Sequence, residues 1–183
     1  MSTKFICPID PYKYNHMLTK PLYKIDKFDQ LQAEVFDIIK KYGSNELQII
    51  CQGLEKNVEN WKDGTGRIEE LEIAEEQRYI NLHPYLSNSV IESLINKHNG
   101  FRTRIMIMAP NKTYSVHADP TPRIHIPIVT NDESWMIWPH HSQCKRLTPG
   151  FVFWTDTTKK HTFINGGLTD RIHIVMCVNE TNS

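Results

Sequence analysis

The spacing of apolar residues changes near residue 100, and this change separates two kinds of predicted element. From Phe28 to Ile39, apolar side chains recur three and four positions apart, and Asp29 lies near the start of the stretch. This is the period of one face of an amphipathic helix. The pattern predicts a helix over about 27–42. Gly43 is placed to end it, because glycine readily adopts the backbone conformation that terminates helices.

A second amphipathic stretch covers about 86–98, with Ser87 as the predicted N-cap and Gly100 as the stop. Between the two helices, the apolar segment Leu47–Cys51 predicts a short strand. Residues 67–78 are rich in charge and leave open whether they form one or two exposed helical turns. The first half of the chain is therefore predicted to be mainly helices and loops.

Beyond residue 100 the apolar residues alternate with polar ones, which is the period of a β-strand. Turn-forming Pro, Gly and Asn residues separate the alternating segments. Many short strands at such spacing predict a β-sandwich or barrel, and we expect the helices to pack against its outside. Pro127 lies inside one segment, and its missing backbone donor favours an edge strand or a bulge there. The predicted strands are 101–109, 114–117, 123–130, 134–138, 151–155, 161–165 and 171–178.

Composition narrows the class of protein. The chain has 183 residues, a mass of 21.4 kDa and equal numbers of basic and acidic residues, so its formal net charge is zero. We predict a single domain over 1–183, and the neutral charge argues against a nucleic-acid partner. The four cysteines lack paired spacing, which indicates a reducing compartment. The N-terminal segment lacks a secretory pattern, and no apolar run reaches the roughly 18 residues of a membrane span. A soluble, cytoplasmic protein without a membrane partner is expected.

Three side chains of the predicted β region form a candidate metal site. His117 and Asp119 are two residues apart at the end of an extended segment, so both side chains point to one face. His161 begins another strand 44 positions later. Two imidazoles and one carboxylate form the facial triad that holds non-haem Fe(II) and leaves positions open for a cosubstrate and O2. Zn(II) accepts the same ligands, and an H-x-D spacing alone is common in proteins without a metal.

Two predicted strands carry an Arg and a His on the same face. Arg123 and His125 alternate with isoleucines, and Arg171 and His173 do so in the last strand. A buried guanidinium is costly unless it is paired, and its planar fork of donors matches a carboxylate. Three interpretations stay open: a salt bridge to an internal acid, an edge strand with one face in water, or a barrel interior lined with anion-binding groups. The repetition of the pattern near the candidate metal site favours the barrel interior.

An ordered set of motifs runs through residues 100–178. It consists of H-x-D at His117, R-x-H at Arg123, a glycine-led strand at Gly150, H-x-x-x-N at His161 and D-R at Asp170. This order resembles the Fe(II)- and 2-oxoglutarate-dependent oxygenases. Within them it is most similar to the aspartyl/asparaginyl β-hydroxylase-like group. The residues before 100 match that family only loosely.

The resemblance implies a mainly β (α+β) fold with a double-stranded β-helix core, which is the jelly-roll or cupin-like architecture. The core would cover about 101–178, and N-terminal helices within about 1–100 would pack against one sheet. The resemblance also assigns the site. The metal ligands at the catalytic centre would be His117, Asp119 and His161, and the residues at or near the cosubstrate would be Arg171, Arg123 and His125.

The activity implied by the resemblance is hydroxylation of an amino-acid side chain, peptidyl or free. The reaction would require Fe(II), consume O2 and 2-oxoglutarate, and release succinate and CO2. Arg171 would pair with the distal carboxylate of 2-oxoglutarate. Asp119 departs from the best-known vertebrate members of the group, which have glycine there, so their substrate does not transfer to this chain. The substrate stays open between a protein side chain and a small molecule, because loops rather than the core set it.

Two other classes compete with the oxygenase. One is a cupin-like metal- or small-molecule-binding module without oxygenase activity, although the H-x-H cluster with a further Glu and His that is usual in cupins is absent from the sequence. The other is an interaction protein that has kept the fold and lost the activity. Joint stabilisation by Fe(II) and 2-oxoglutarate discriminates the oxygenase from both.

Overall fold

A computed structural model of the protein describes residues 17–42, 47–56, 61–66 and 73–179. The predicted helix stop at Gly43 and the first part of the charged 67–78 segment lie outside these residues. The helices are α1 Phe28–Tyr42, α2 Ile73–Glu76 and α3 Val90–His98. The strands are β1 Thr19–Lys24, β2 Gln48–Ile50, β3 Gln52–Gly53, β4 Asn81–Leu82, β5 Phe101–Met108, β6 Lys112–Thr113, β7 Arg123–Val129, β8 Ser134–Trp138, β9 Gln143–Lys145, β10 Phe151–Thr155, β11 Thr162–Asn165 and β12 Arg171–Cys177.

Strands β5 to β12 pair as one long hairpin that has been rolled up. β8 pairs with β9, β7 with β10, β6 with β11 and β5 with β12, and each pair is antiparallel. Rolling produces two sheets, one ordered β1-β10-β7-β12-β5-β2 and the other β6-β11-β8-β9. This is the strand order of a jelly roll, so the predicted double-stranded β-helix core is confirmed.

The larger sheet has an apolar outer face and a polar inner face, as the alternation predicts. On β7, Ile124, Ile126 and Ile128 are buried in the cluster that also contains Leu31 of α1 and Leu94 of α3. The helices therefore cover the outer face of the larger sheet, and burial of each aliphatic side chain contributes about 1.5–3 kcal/mol. The alternate residues of β7 and β12 point inward, toward the smaller sheet.

Both Arg-bearing strands are central strands. β7 lies between β10 and β12, and β12 lies between β7 and β5. The edge-strand interpretation is therefore wrong for both. Pro127 instead faces an irregularity in the ladder, because the register shifts between Ile172 and His173, the residue opposite Pro127. This register shift agrees with the bulge predicted as the alternative, a place where the missing backbone donor of proline is tolerated.

Helix α3, the second helix predicted from the sequence, begins later than its apolar pattern suggests. Its N-cap is Ser89 rather than Ser87, and the Ser89 hydroxyl accepts a hydrogen bond from the backbone N–H of Glu92 at 3.0 Å. Asn88 has a positive φ of 63°, which interrupts the helical path before the cap. The helix ends on Asn99 in the left-handed conformation, one residue before the predicted stop.

Several further differences concern short strands, including β3, β4 and β6, which the sequence patterns do not predict. The predicted strand over 114–117 does not form; β6 precedes it, and His117 makes only an isolated bridge. Strands β1 and β9 were not predicted from the sequence. Among the described residues, no helix combines the length and the apolar character that a membrane crossing requires.

Candidate metal and anion-binding site

A two-residue bridge fixes the candidate metal site. The backbone N–H of His117 donates to the carbonyl of His161 at 3.0 Å, and the N–H of His161 donates back to the carbonyl of His117 at 2.7 Å. The two hydrogen bonds of an antiparallel bridge hold the backbones together, so the two imidazole centroids lie 4.6 Å apart. His117 and His161, which are 44 positions apart in the sequence, are thus direct neighbours in the fold.

Both imidazoles present the same nitrogen for binding. The Nδ1 of His117 lies 2.7 Å from the carbonyl oxygen of Ser115, and the Nδ1 of His161 lies 3.0 Å from that of Lys159. A carbonyl only accepts, so each Nδ1 carries the proton and each Nε2 keeps its lone pair. Metal-binding histidines typically donate their second ring N–H to a carbonyl or carboxylate in this way. Burial lowers the pKa of His161, which favours the neutral form that a metal needs.

Asp119 completes the group. Its backbone N–H donates to the carbonyl of Thr157 at 2.9 Å, which fixes the loop between β6 and β7 against the segment that follows β10. One carboxylate oxygen lies 3.7 Å from the Nε2 of His161, and the other lies 3.3 Å from the Nη2 of Arg123. Ligand atoms of His117, Asp119 and His161 all lie within 4.8 Å of one another. The donor set is that of the facial triad, and the residues fit Fe(II); their role as ligands stays a prediction.

Glu76, a buried acid that the sequence analysis did not identify, supports Asp119 indirectly. It binds Arg123, and Arg123 contacts the Asp119 carboxylate. Glu76 of α2 is fully buried and accepts hydrogen bonds from the guanidiniums of Arg123, at 2.7 and 3.0 Å, and Arg102, at 2.7 Å. Burial alone would raise the pKa of Glu76, but the charges and hydrogen bonds of Arg123 and Arg102 outweigh it and lower that pKa. Residues 67–78 were considered exposed, and for Glu76 this expectation is wrong.

Arg123 is engaged within the protein. Its Nη1 and Nη2 both bond Glu76, Nη1 also bonds the hydroxyl of Thr121, and Nη2 contacts Asp119. The guanidinium therefore orients the Asp119 carboxylate. A role for Arg123 beside a cosubstrate stays a prediction.

Arg171 has a different environment. Its guanidinium is 1% exposed, stacks on the ring of Phe163 at 3.6 Å from the centroid and donates from Nη2 to the Nδ1 of His173 at 2.7 Å. Its Nε has no acceptor, and among the described residues no carboxylate pairs with it. Burial lowers the pKa of Arg171 to about 9, which leaves the group charged at neutral pH. The internal salt bridge considered for this residue is absent from the described part of the chain.

Two further histidines lie on the inner face. Because Arg171 can only donate, the Nδ1 of His173 must accept, and its proton sits on Nε2. His125 is buried on β7, and its Nδ1 has no hydrogen-bond partner within the described chain. Burial and the nearby charge of Arg171 lower the pKa of both imidazoles well below 6.5. Both are neutral, and the cosubstrate contact predicted for His125 stays a prediction.

The three candidate metal ligands, Arg123, His125 and Arg171 all line one cavity between the sheets. Its volume is about 450 Å³, within the range of about 300–1,000 Å³ that is typical of small-molecule sites. The wall includes His117, Asp119 and His161 together with Arg171 and His125. The structure thus gathers every residue that the sequence analysis proposed for the site around a single space.

Comparison with known proteins adds little beyond the architecture. No family model matches the chain, and no curated protein matches it. A cupin domain from Bordetella pertussis Tohama I is similar over 43% of this chain and 80% of its own, with 17% identity and a TM-score of 0.38. A truncated form of the viral collagen prolyl hydroxylase from Paramecium bursaria Chlorella virus-1 is similar over 89% of this chain and 91% of its own, with 9% identity and a TM-score of 0.49. The 2OG complex of that hydroxylase is similar over 88% of this chain and 97% of its own, with 12% identity and a TM-score of 0.44. The jelly-roll assignment therefore rests on the strand order of the chain itself.

Proposed function

We propose that this protein is an Fe(II)- and 2-oxoglutarate-dependent dioxygenase that hydroxylates an amino-acid side chain, peptidyl or free. One observation carries the proposal. A cavity of the jelly roll is lined by two imidazoles whose Nδ1 atoms bond carbonyls, by a carboxylate, and by a buried guanidinium that no carboxylate of the described residues pairs with. The first three suit a divalent metal, and the fourth suits a small dicarboxylate.

In this proposal His117, Asp119 and His161 hold the metal. The backbone bridge and the carbonyl contacts at Nδ1 fix the two imidazoles before a metal arrives. Arg123 fixes the carboxylate through its contact at 3.3 Å. When bound, Fe(II) would supply the O2 activation that couples decarboxylation of 2-oxoglutarate to hydroxylation of the substrate.

Arg171 binds the distal carboxylate of 2-oxoglutarate in this proposal. A guanidinium presents parallel donors that match a carboxylate in bidentate fashion, and burial strengthens the pair because the surroundings have a low dielectric constant. Phe163 and His173 hold the guanidinium in position without neutralising it. Arg171 therefore stays positively charged, and no carboxylate of the described residues neutralises it.

The ordered motifs H-x-D, R-x-H and D-R support a relationship to the aspartyl/asparaginyl β-hydroxylase-like group among these oxygenases. The presence of Asp119 supports hydroxylation rather than halogenation, because a halogenating site needs the position of the carboxylate for a halide.

Thermal unfolding under anaerobic conditions tests the proposal. Fe(II) and 2-oxoglutarate at about 100 times their dissociation constants each add about 2.7 kcal/mol, or about 5–11 °C for a domain of this size. We expect His161→Ala to lose the shift caused by Fe(II), and Arg171→Met to lose only the shift caused by 2-oxoglutarate. His140→Ala is the matched control, because His140 is exposed and lies outside the cavity.

The outcomes separate the competing classes. A shift with both ligands, together with succinate formation that requires His161, supports the dioxygenase. A shift with Fe(II) that 2-oxoglutarate does not increase would favour the cupin-like binding module. Wild-type succinate formation by His161→Ala would refute the ligand assignment.

A further inference from the structure

A second buried guanidinium lies in the cavity without an acidic partner. Arg104 of β5 lines the cavity wall and is 7% exposed. Its Nη1 donates to the Oε1 of Gln48 at 3.2 Å, and its Nε has no acceptor. No carboxylate in the described part of the chain forms an ion pair with it. Burial lowers the pKa of Arg104 to about 10, so the group is a cation at neutral pH.

The arginines around the cavity divide into two kinds. Arg102 and Arg123 share the carboxylate of Glu76, and Arg102 also donates to the carbonyls of Gly64 and Gly66. These two are structural cations with internal partners. Within the described ranges Arg104 and Arg171 have no acidic partner, and leaving a buried charge unpaired is among the most costly arrangements in a protein. Such a cost is tolerated where a ligand supplies the missing charge.

The two unpaired cations occupy different parts of the cavity. On β12, Arg171 and Val175 are four residues apart on the same face, and Arg104 of β5 lies directly opposite Val175. At about 3.3 Å per residue, the backbones of Arg104 and Arg171 are therefore offset by about 13 Å along the strands. Arg104 contacts Gln48 of β2, whereas Arg171 contacts Phe163 of β11 and His173. One short dicarboxylate bound at Arg171 does not occupy both positions.

The charge balance of the cavity supports a second anion. Among the described residues, the guanidiniums of Arg102, Arg104, Arg123 and Arg171 line the cavity with one carboxylate, Asp119, and a second carboxylate, Glu76, lies against Arg102 and Arg123. A divalent metal and a dianionic cosubstrate cancel each other, so the surplus of positive charge would persist after both are bound. An additional anionic group from another molecule would neutralise the surplus at the end where Arg104 lies.

We propose that Arg104 binds an anionic group, a carboxylate or a phosphate, of the primary substrate. The location of this subsite relative to the cosubstrate rests on the proposed function, because it takes Arg171 as the 2-oxoglutarate residue. Gln48 positions the guanidinium: its Oε1 accepts from Arg104 and also from the backbone N–H of Gly66 at 2.9 Å. The substrate class is thus an acidic small molecule, a free amino acid, or a peptide that presents an anionic group.

The direct test follows the arginine side chains by NMR in protein labelled with ¹⁵N-arginine. Acetate and inorganic phosphate serve as the probes, without added metal. We expect the Nε–H signal of Arg104 to shift saturably with one of the two, and the preferred probe distinguishes carboxylate from phosphate recognition. Arg104→Lys assigns the signal by removing it. Absence of a saturable shift with either anion would overturn the proposal.

A second titration separates this proposal from the proposed function. With 2-oxoglutarate as the probe, the Nε–H signal of Arg171 should shift and that of Arg104 should remain. If Arg171 does not respond while acetate or phosphate still shifts Arg104, the proposed cosubstrate role fails and the anion site stands. If 2-oxoglutarate shifts Arg104 at the same concentrations that saturate Arg171, the assignment of Arg104 to a second molecule is wrong.

A third experiment keeps Arg104 and supplies the negative charge that it lacks among the described residues. Gln48→Glu introduces a carboxylate beside the guanidinium, so it should raise the melting temperature and abolish the response of Arg104 to acetate and phosphate. Gln77→Glu adds the same charge at an exposed position and is the matched control. If Gln48→Glu binds the anions as the wild-type protein does, the guanidinium is not their site.

Discussion

The buried acid Glu76 provides the sharpest test of the energetics. Glu76→Gln keeps the size of the side chain and removes the negative charge that Arg102 and Arg123 share. In the native protein the Glu76 carboxylate lies 2.7 Å from both guanidiniums, and all three side chains are almost completely buried. Among the described residues, the amide leaves Arg102 without a counter-charge and Arg123 with only the Asp119 carboxylate, 3.3 Å away. Removal of one member of a buried ion pair typically costs about 3–5 kcal/mol.

For a domain of this size, that cost corresponds to a decrease of about 6–20 °C in the melting temperature. The assay is thermal and urea unfolding followed by circular dichroism at pH 7. Glu75→Gln is the matched control, since the adjacent Glu75 pairs with Arg78 at 2.9 Å on the exposed surface, where such a pair contributes at most about 1 kcal/mol.

The pH dependence gives a second readout for the same variant. The pKa of Glu76 is lower in the folded protein than its ordinary value. Its contribution to stability is therefore complete above the unfolded-state pKa and is lost as the pH falls through the folded-state value. Glu76→Gln should remove this part of the acid destabilisation. A loss of less than about 1 kcal/mol at pH 7, similar to that of Glu75→Gln, would show that the network does not hold the two arginines as argued.

Two further predictions concern the core and the inner histidines. Leu31→Ala in the fully buried face of α1 should cost about 2–5 kcal/mol in urea unfolding, whereas Phe36→Ala on its exposed face should change stability by less than about 0.5 kcal/mol; equal costs would contradict the packing of α1 on the larger sheet. Burial holds the pKa of His173 well below 6.5, so its neutral form contributes stability that is present above the unfolded pKa and decreases as the pH falls below 6.5. His173→Gln should reduce the slope of unfolding free energy against pH between about 7 and about 5.5 by up to about 1.4 kcal/mol per unit, and an unchanged slope would show that His173 does not resist protonation.

The parts of the fold that the sequence predicts are those set by local periodicity. The alternation around Ile124 and Ile126 fixes which residues of β7 meet the helices, because a one-residue slip would reverse the faces. The inward direction of Arg123 and His125 follows from the same rule. Strand β1 escapes this rule: it contains Pro21 and alternates poorly, and it is tolerated because it pairs only with β10 at the edge of the sheet.

Features that depend on contacts between residues far apart in the chain could not be predicted from the sequence. Glu76 lies in a charged stretch whose pattern is typical of an exposed turn, and its burial follows only from its contacts with Arg102 and Arg123. The backbone bridge between His117 and His161 likewise depends on how the jelly roll rolls up, which no local pattern encodes. The sequence identified the chemical groups of the site, whereas the fold supplies their mutual support.

Arg104 and Arg171 have no acidic partner in the described part of the chain, so anion binding as proposed would make the lifetime of the protein depend on the supply of those anions. Each tenfold rise in a bound anion above its dissociation constant would deepen the native state by about 1.4 kcal/mol. In a living cell, molecules that unfold transiently are removed by proteases, so starvation for these anions would lower the abundance of the protein as well as its activity. Under the proposed function, a shortage of these anions would thus lower the amount of the protein that uses them.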